Sequence, residues 1–166
     1  MTPSLRPCPP RYENFVTFHA AALRPASQET LDELAIVHHA MRQVEQVPVA
    51  TEHILHGGMY ARTIRLEAGV VMMGSLIKLA TILIVNGATS LVAGDDRVDL
   101  DGYNVIPGCA GRKQLFVTRG PVEMTMIFPT QASTVAQAED GVFAEADLLM
   151  SRNDGSRDTT TITGNL

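Results

Sequence analysis

The chain offers few groups that could do chemistry. Its five histidines are His19, His38, His39, His53 and His56. His53 and His56 stand three apart in a run of β-forming residues, a spacing that sends two strand side chains to opposite faces. A bulge or turn near Gly57 would be needed to realign them on one metal. His38 and His39 are adjacent in a helical run and point about 100° apart, which also opposes a shared ion. Surface or interface histidines are the expectation for all of them.

Arg62 alternates with Tyr60, Ile64 and Leu66, so strand geometry puts a guanidinium on the face they share and directs it inward or to a rim. There it could bind a carboxylate or phosphate, or pair with an internal acid such as Glu123. Arg112 and Lys113 follow "PGCAG". They are candidate anion contacts, although two basic residues on a loop are usually solvated. Cys8 and Cys109 lie too far apart for a CxxC zinc pair and are expected as reduced thiols. No GxSxG or phosphate-binding glycine loop is present, and "GDD" at 94–96 reads as turn chemistry.

Composition narrows the classes further. The chain has 166 residues, 45% hydrophobic and 19% charged, with a net charge of −5. That fits one globular domain and gives no general attraction to nucleic acid or anionic membrane. The N-terminus lacks the apolar run of a signal peptide, and "LATILIV" is too short to span a bilayer.

The elements that must position these groups follow from periodicity. Residues 1–26 contain five prolines and are expected to form an extended arm. Tyr12, Phe15 and Phe18 make it a candidate contact element that docks on its own barrel or on a neighbour. Residues 27–47 predict an amphipathic helix, capped by Ser27 or by a Thr30–Glu33 box, with Leu34, Val37, Met41 and Val44 as one stripe. It would lie across a sheet or against a partner subunit.

From 48 to 130 the period is two. Short β-rich runs end at Gly57-Gly58, Asn86-Gly87, Asp101-Gly102, Pro107-Gly108 and Arg119-Gly120-Pro121. About nine strands with no helix between them predict a mainly β, antiparallel sandwich or barrel. Residues 131–152 predict short helices separated at Gly141. Residues 153–166 predict a flexible tail, with "TTTIT" as an alternative strand for a neighbour.

Residues 29–152 resemble the small cupin-like proteins encoded by bacteriophages and prophages. The likeness rests on "ETLDELAIVHHAMRQVEQVPVATEHILHGGMYARTIRLEAG", "GSLIKLATILIVNG", "VIPGCAGRKQLFV" and "MIFPT". It implies a double-stranded β-helix, a small jelly-roll barrel. Cupins typically hold a divalent metal through histidines and a carboxylate inside that barrel. By this resemblance the ligand places fall at Ser75, Ile77 and Thr81 in the first motif, near Gln114 in the second, and at Phe128 in the closing strand. Ile and Phe cannot ligate, and Thr and Gln are weak neutral donors. The expectation is therefore a degenerate motif with no metal and no cofactor.

The resemblance, the vacated motif, the aromatic arm and the polar tail together imply a non-catalytic structural component of a phage particle. It would be made in the host cytoplasm, located in the virion, and partnered by copies of itself and by other phage structural proteins. A cupin-type enzyme acting on a small molecule and a metal-free ligand-binding barrel are the alternatives.

Overall fold

The computed structural model describes residues 22–93, 96–153 and 157–164. Tyr12, Phe15, Phe18, His19 and Cys8 lie outside the described residues, as does most of the expected arm.

Helix α1 spans Gln28–Met41. The Ser27 hydroxyl accepts from the Thr30 backbone N–H at 3.1 Å, which satisfies one of the free donors of the first turn. The expected apolar stripe is only partly used. Leu34 is buried, whereas Val37 and Val44 are exposed. The buried line runs instead through Thr30, Leu34 and the half-buried His38 and Met41.

The strands are β1 (Thr51–His56), β2 (Met59–Leu66), β3 (Val71–Met73), β4 (Thr81–Ala93), β5 (Asp96–Leu100), β6 (Tyr103–Gly108), β7 (Gln114–Pro129) and β8 (Thr159–Ile162). Helices α2 (Val135–Val142) and α3 (Met150–Asn153) lie between β7 and β8, with a 3-10 turn at Ala146–Leu148. The protein is mainly β, and the eight strands among the described residues form one sheet.

Two expected hairpins are continuous strands. Asn86-Gly87 does not close a turn but sits inside β4, where the register against β7 shifts between Gly87 and Thr89. Likewise, Arg119-Gly120-Pro121 lies within β7. Gly87 has φ +131°, and a Cβ there would come 2.3 Å from the Pro121 carbonyl oxygen. Glycine was demanded at this place by close backbone approach, not by a hairpin. The two long strands thereby serve two halves of the sheet. The first half of β4 pairs with β6 and the second with β5, while β7 pairs with β3 near its start and with β2 near its end.

The sheet is mixed, which corrects the purely antiparallel expectation. β8 runs parallel to β1, from Glu52↔Thr159 to Leu55↔Ile162. The "TTTIT" run therefore pairs within its own chain, and the expected flexible tail carries an ordered edge strand.

Alternation decides the core. Leu83 and Val85 on β4, Met124, Met126 and Phe128 on β7, and Tyr60, Ile64 and Leu66 on β2 are buried on the inner face. Each such side chain contributes about 1.5–3 kcal/mol when fully buried. The arm's end joins this body: Leu23 is buried and bridges Gly108 in parallel, with its N–H donating to the Pro107 carbonyl at 2.8 Å.

Candidate functional site

The inner face of the sheet holds a small cavity of about 70 Å³. Arg62, Ser75, Ile77, Met72, Gln114 and Phe143 are among its lining residues. The structure thus brings together three of the five expected ligand places, Ser75, Ile77 and Gln114, and adds Arg62 to them.

The other two places are used elsewhere. Thr81 accepts a hydrogen bond from the Arg112 guanidinium. Phe128 packs edge-on against Tyr60, with ring centroids 5.1 Å apart. Around the cavity the remaining donors are a serine hydroxyl and a carboxamide, and the Ser75 hydroxyl already accepts from the Glu145 backbone N–H. A divalent cation needs several imidazole, carboxylate or thiolate donors, so these residues do not fit one. Among the described residues no group of three or more His, Cys, Asp or Glu is placed to hold a metal.

Of the two placements that alternation allows, inward or to a rim, Arg62 takes the inward one, but its acid is not Glu123. Glu123 receives Arg65 on the outer face at 2.6 Å. The acid beside Arg62 is Glu139 on α2, 3.7 Å from its Nε. Glu139 is buried, accepts from Ser151 at 3.0 Å, and pairs with Arg152 at 2.9 Å. Arg152 also reaches Asp140 at 2.8 Å. Arg62 additionally donates to Ser151 at 3.3 Å and lies 5.7 Å from the Phe143 ring centroid. Sequence reasoning missed Glu139 because a lone acid on a short helix reads as solvated. No local signal announces that α2 folds over the sheet.

Arg112 and Lys113 are also buried, which overturns the expectation of a solvated loop. Arg112 precedes Gln114 and Phe116 at strand spacing, and it bridges Ile77, so its side chain turns inward. It donates to the Cys109 carbonyl and to Thr81, and burial holds its pKa down to about 10. Lys113 turns the other way and pairs with Glu145. Cys109 is a free, half-buried thiol.

His53 and His56 lie on opposite faces, as their spacing predicts. His53 is nevertheless a core residue and not a surface one, which corrects that expectation. Its Nδ1 is 2.6 Å from the Tyr60 hydroxyl, and its Nε2 is 3.5 Å from Asp158. Burial, followed by the nearby Arg62, pushes the His53 pKa below its usual value. His56 is exposed and meets Thr163 at 2.6 Å. These contacts tie β8 to the sheet, and among the described residues they gather no group of three His, Cys, Asp or Glu around one point.

The outer face of the same sheet is of another kind. Register places Ala61, Ile127, Ile82 and Pro107 in one row, and Thr63, Thr125, Ile84 and Val105 in the next. Ile82 is 48% exposed, Val105 51% and Tyr103 52%. A charged band of Glu52, Arg65 and Glu123 borders these rows. No described helix is long and apolar enough to cross a membrane.

No family model and no curated protein matches the chain. Similar solved structures include KdgF from a Halomonas species, at 14% identity and TM-score 0.44 over 54% of this chain and 87% of that one. Another is an RmlC-like cupin family protein with a double-stranded β-helix fold from Methanocaldococcus jannaschii, at 16% identity and TM-score 0.42 over 52% and 92%. A third is salicylate 1,2-dioxygenase from Pseudoaminobacter salicylatoxidans, at 11% identity and TM-score 0.47 over 69% of this chain and 33% of that one.

Proposed function

We propose that this chain is a metal-free, cupin-type barrel that serves as a non-catalytic structural component of a bacteriophage particle. It acts through contacts with copies of itself and with neighbouring particle proteins. The observation that carries this reading is the outer sheet face, where Ile82, Val105 and Tyr103 are exposed beside Ile84 and Ile127. Contiguous apolar surface on a folded domain marks an interaction site, and interface centres are depleted of charge in the same way. Helix α1 adds exposed Ile36, Val37 and Val44. Placement in a phage particle rests on the sequence resemblance of residues 29–152.

Sedimentation velocity on the purified chain tests assembly. A discrete oligomer is expected, with Ile82→Asp/Val105→Asp shifted toward monomer at an unchanged circular dichroism spectrum. Peptide mass spectrometry on purified particles tests location, with detection at a fixed ratio to the major capsid protein expected. A wild-type monomer absent from particles would sink the reading.

A metal-free ligand-binding barrel is the second reading. It is favoured by two buried donors without a hydrogen bond, Arg62 Nε and Gln114 Nε2.

A further inference from the structure

Gln114 is only 4% exposed, and its Nε2 has no hydrogen-bond partner. Arg62 Nε is buried and equally without one. Both residues line the same cavity. Buried donors are almost always satisfied, and leaving two unsatisfied on residues that line one cavity is costly. Glu139 forms an ion pair with Arg62 Nε at 3.7 Å but stands beyond hydrogen-bond distance. Glu139 is engaged by Ser151 and Arg152, so Arg62 has no hydrogen-bonded carboxylate. Apart from Ser75, whose hydroxyl accepts from the Glu145 backbone N–H, the rest of the lining is apolar, including Met72, Phe116 and Met124.

We infer that this cavity binds a small aliphatic monocarboxylate, with its two oxygens facing the Arg62 and Gln114 donors and its short chain against the methionines. This goes beyond the assembly reading and does not depend on it. Two donors of this kind match the two oxygens of a carboxylate, and guanidinium is the cation best shaped for it. Size limits the chain. The cavity is about 70 Å³, roughly half the 150 Å³ that admits benzene in an engineered apolar site. An acid of about two to four carbons fits that space, and a sugar or an aromatic acid does not.

The test titrates propionate into the full chain, followed by calorimetry and by the carbon-13 signal of labelled carboxylate. Saturable binding of one propionate per chain is expected. Propionamide, the neutral isostere, should bind at least tenfold more weakly. Gln114→Leu removes one unsatisfied donor without disturbing a bond, so it should fold and lose at least tenfold in affinity. Gln114→Glu should repel the acid altogether. Failure of propionate to saturate, equal affinity for propionamide, or unchanged affinity in a folded Gln114→Leu protein each overturns the inference. Sedimentation of the same samples reports assembly separately, so a failure here leaves the assembly reading standing.

Discussion

Lys113 Nζ lies 3.0 Å from Glu145 Oε2, with the lysine side chain 6% exposed. His38 Nδ1 is 3.4 Å from the same ammonium. Three segments distant in sequence meet there: helix α1, the entry to β7, and the stretch after α2. A buried ammonium without a counter-charge is strongly disfavoured, so the two ends of this pair are unequal.

Removing the acid should therefore cost more than removing the base. Glu145→Ala strands a buried cation and is expected to destabilise by about 1–3 kcal/mol, below the range for a fully buried pair because Glu145 keeps a third of its surface in water. Lys113→Met leaves only a carboxylate that keeps that third of its surface in water, and should cost less. Urea midpoints of the two variants decide it. Equal losses would mean that the pair is held by packing and not by charge.

The bulge in β4 makes a sharper demand. A Cβ on Gly87 would meet the Pro121 carbonyl oxygen at 2.3 Å and Val122 Cα at 2.9 Å, both backbone atoms of β7. Neither can move without breaking the longest strand pair. Gly87→Ala should cost about 3 kcal/mol or more, as steric conflict and a strained φ add. Gly69 also has positive φ, but open space surrounds it, so Gly69→Ala should cost only about 1 kcal/mol. Comparable melting temperatures for the two variants would contradict this account of the bulge.

That glycine also shows what could be read from sequence. Alternation along "MYARTIRL" set both ends of β2 correctly, and it put Arg62 on the face of Tyr60, Ile64 and Leu66 while leaving open whether it points inward or to a rim, because a half-buried strand writes its two faces into every second residue. Turn signals were less faithful. Asn86-Gly87 and Gly120-Pro121 have hairpin composition, yet they lie where two long strands bend past each other. A glycine needed for close approach is chemically the same as one needed for a turn. The partners of Arg62 and Lys113, Glu139 and Glu145, were illegible for a different reason. Their burial depends on where the segment after β7 folds, and no local pattern encodes that. The parallel pairing of β8 is equally nonlocal.

Acidification supplies a third expectation. His53 and His38 both titrate below the usual histidine value of 6.5. Burial is the main cause for each, with Arg62 adding for His53 and Lys113 for His38. A histidine whose folded pKa is depressed contributes stability that is complete above its unfolded pKa. That stability is lost as pH falls through the folded value. Urea midpoints should thus be flat above about pH 7.5 and decline from about pH 6.5 downward. His53→Gln should shallow the decline. A midpoint that rises between about pH 6.5 and 5 would show that the nearby acids Asp158 and Glu139 outweigh burial.

The last expectation concerns Gly108 and Arg112. A Cβ on Gly108 would stand 2.3 Å from Arg112 Cζ and 2.7 Å from its Nε. A flexible side chain would normally step aside, but this guanidinium is fully buried and held by the Cys109 carbonyl and Thr81. Gly108→Ala alone should therefore cost about 2 kcal/mol or more. Arg112→Ala also destabilises, since it opens a cavity and frees the Thr81 hydroxyl. The space it opens is the space the new methyl needs, so the double variant should be more stable than the sum of the single losses predicts. A coupling of about 1 kcal/mol or more in a double-mutant cycle is expected. Additive losses would mean that the guanidinium moves freely. Gly108 would then be required by some other contact of the β6 end, where the chain from Leu23 crosses it.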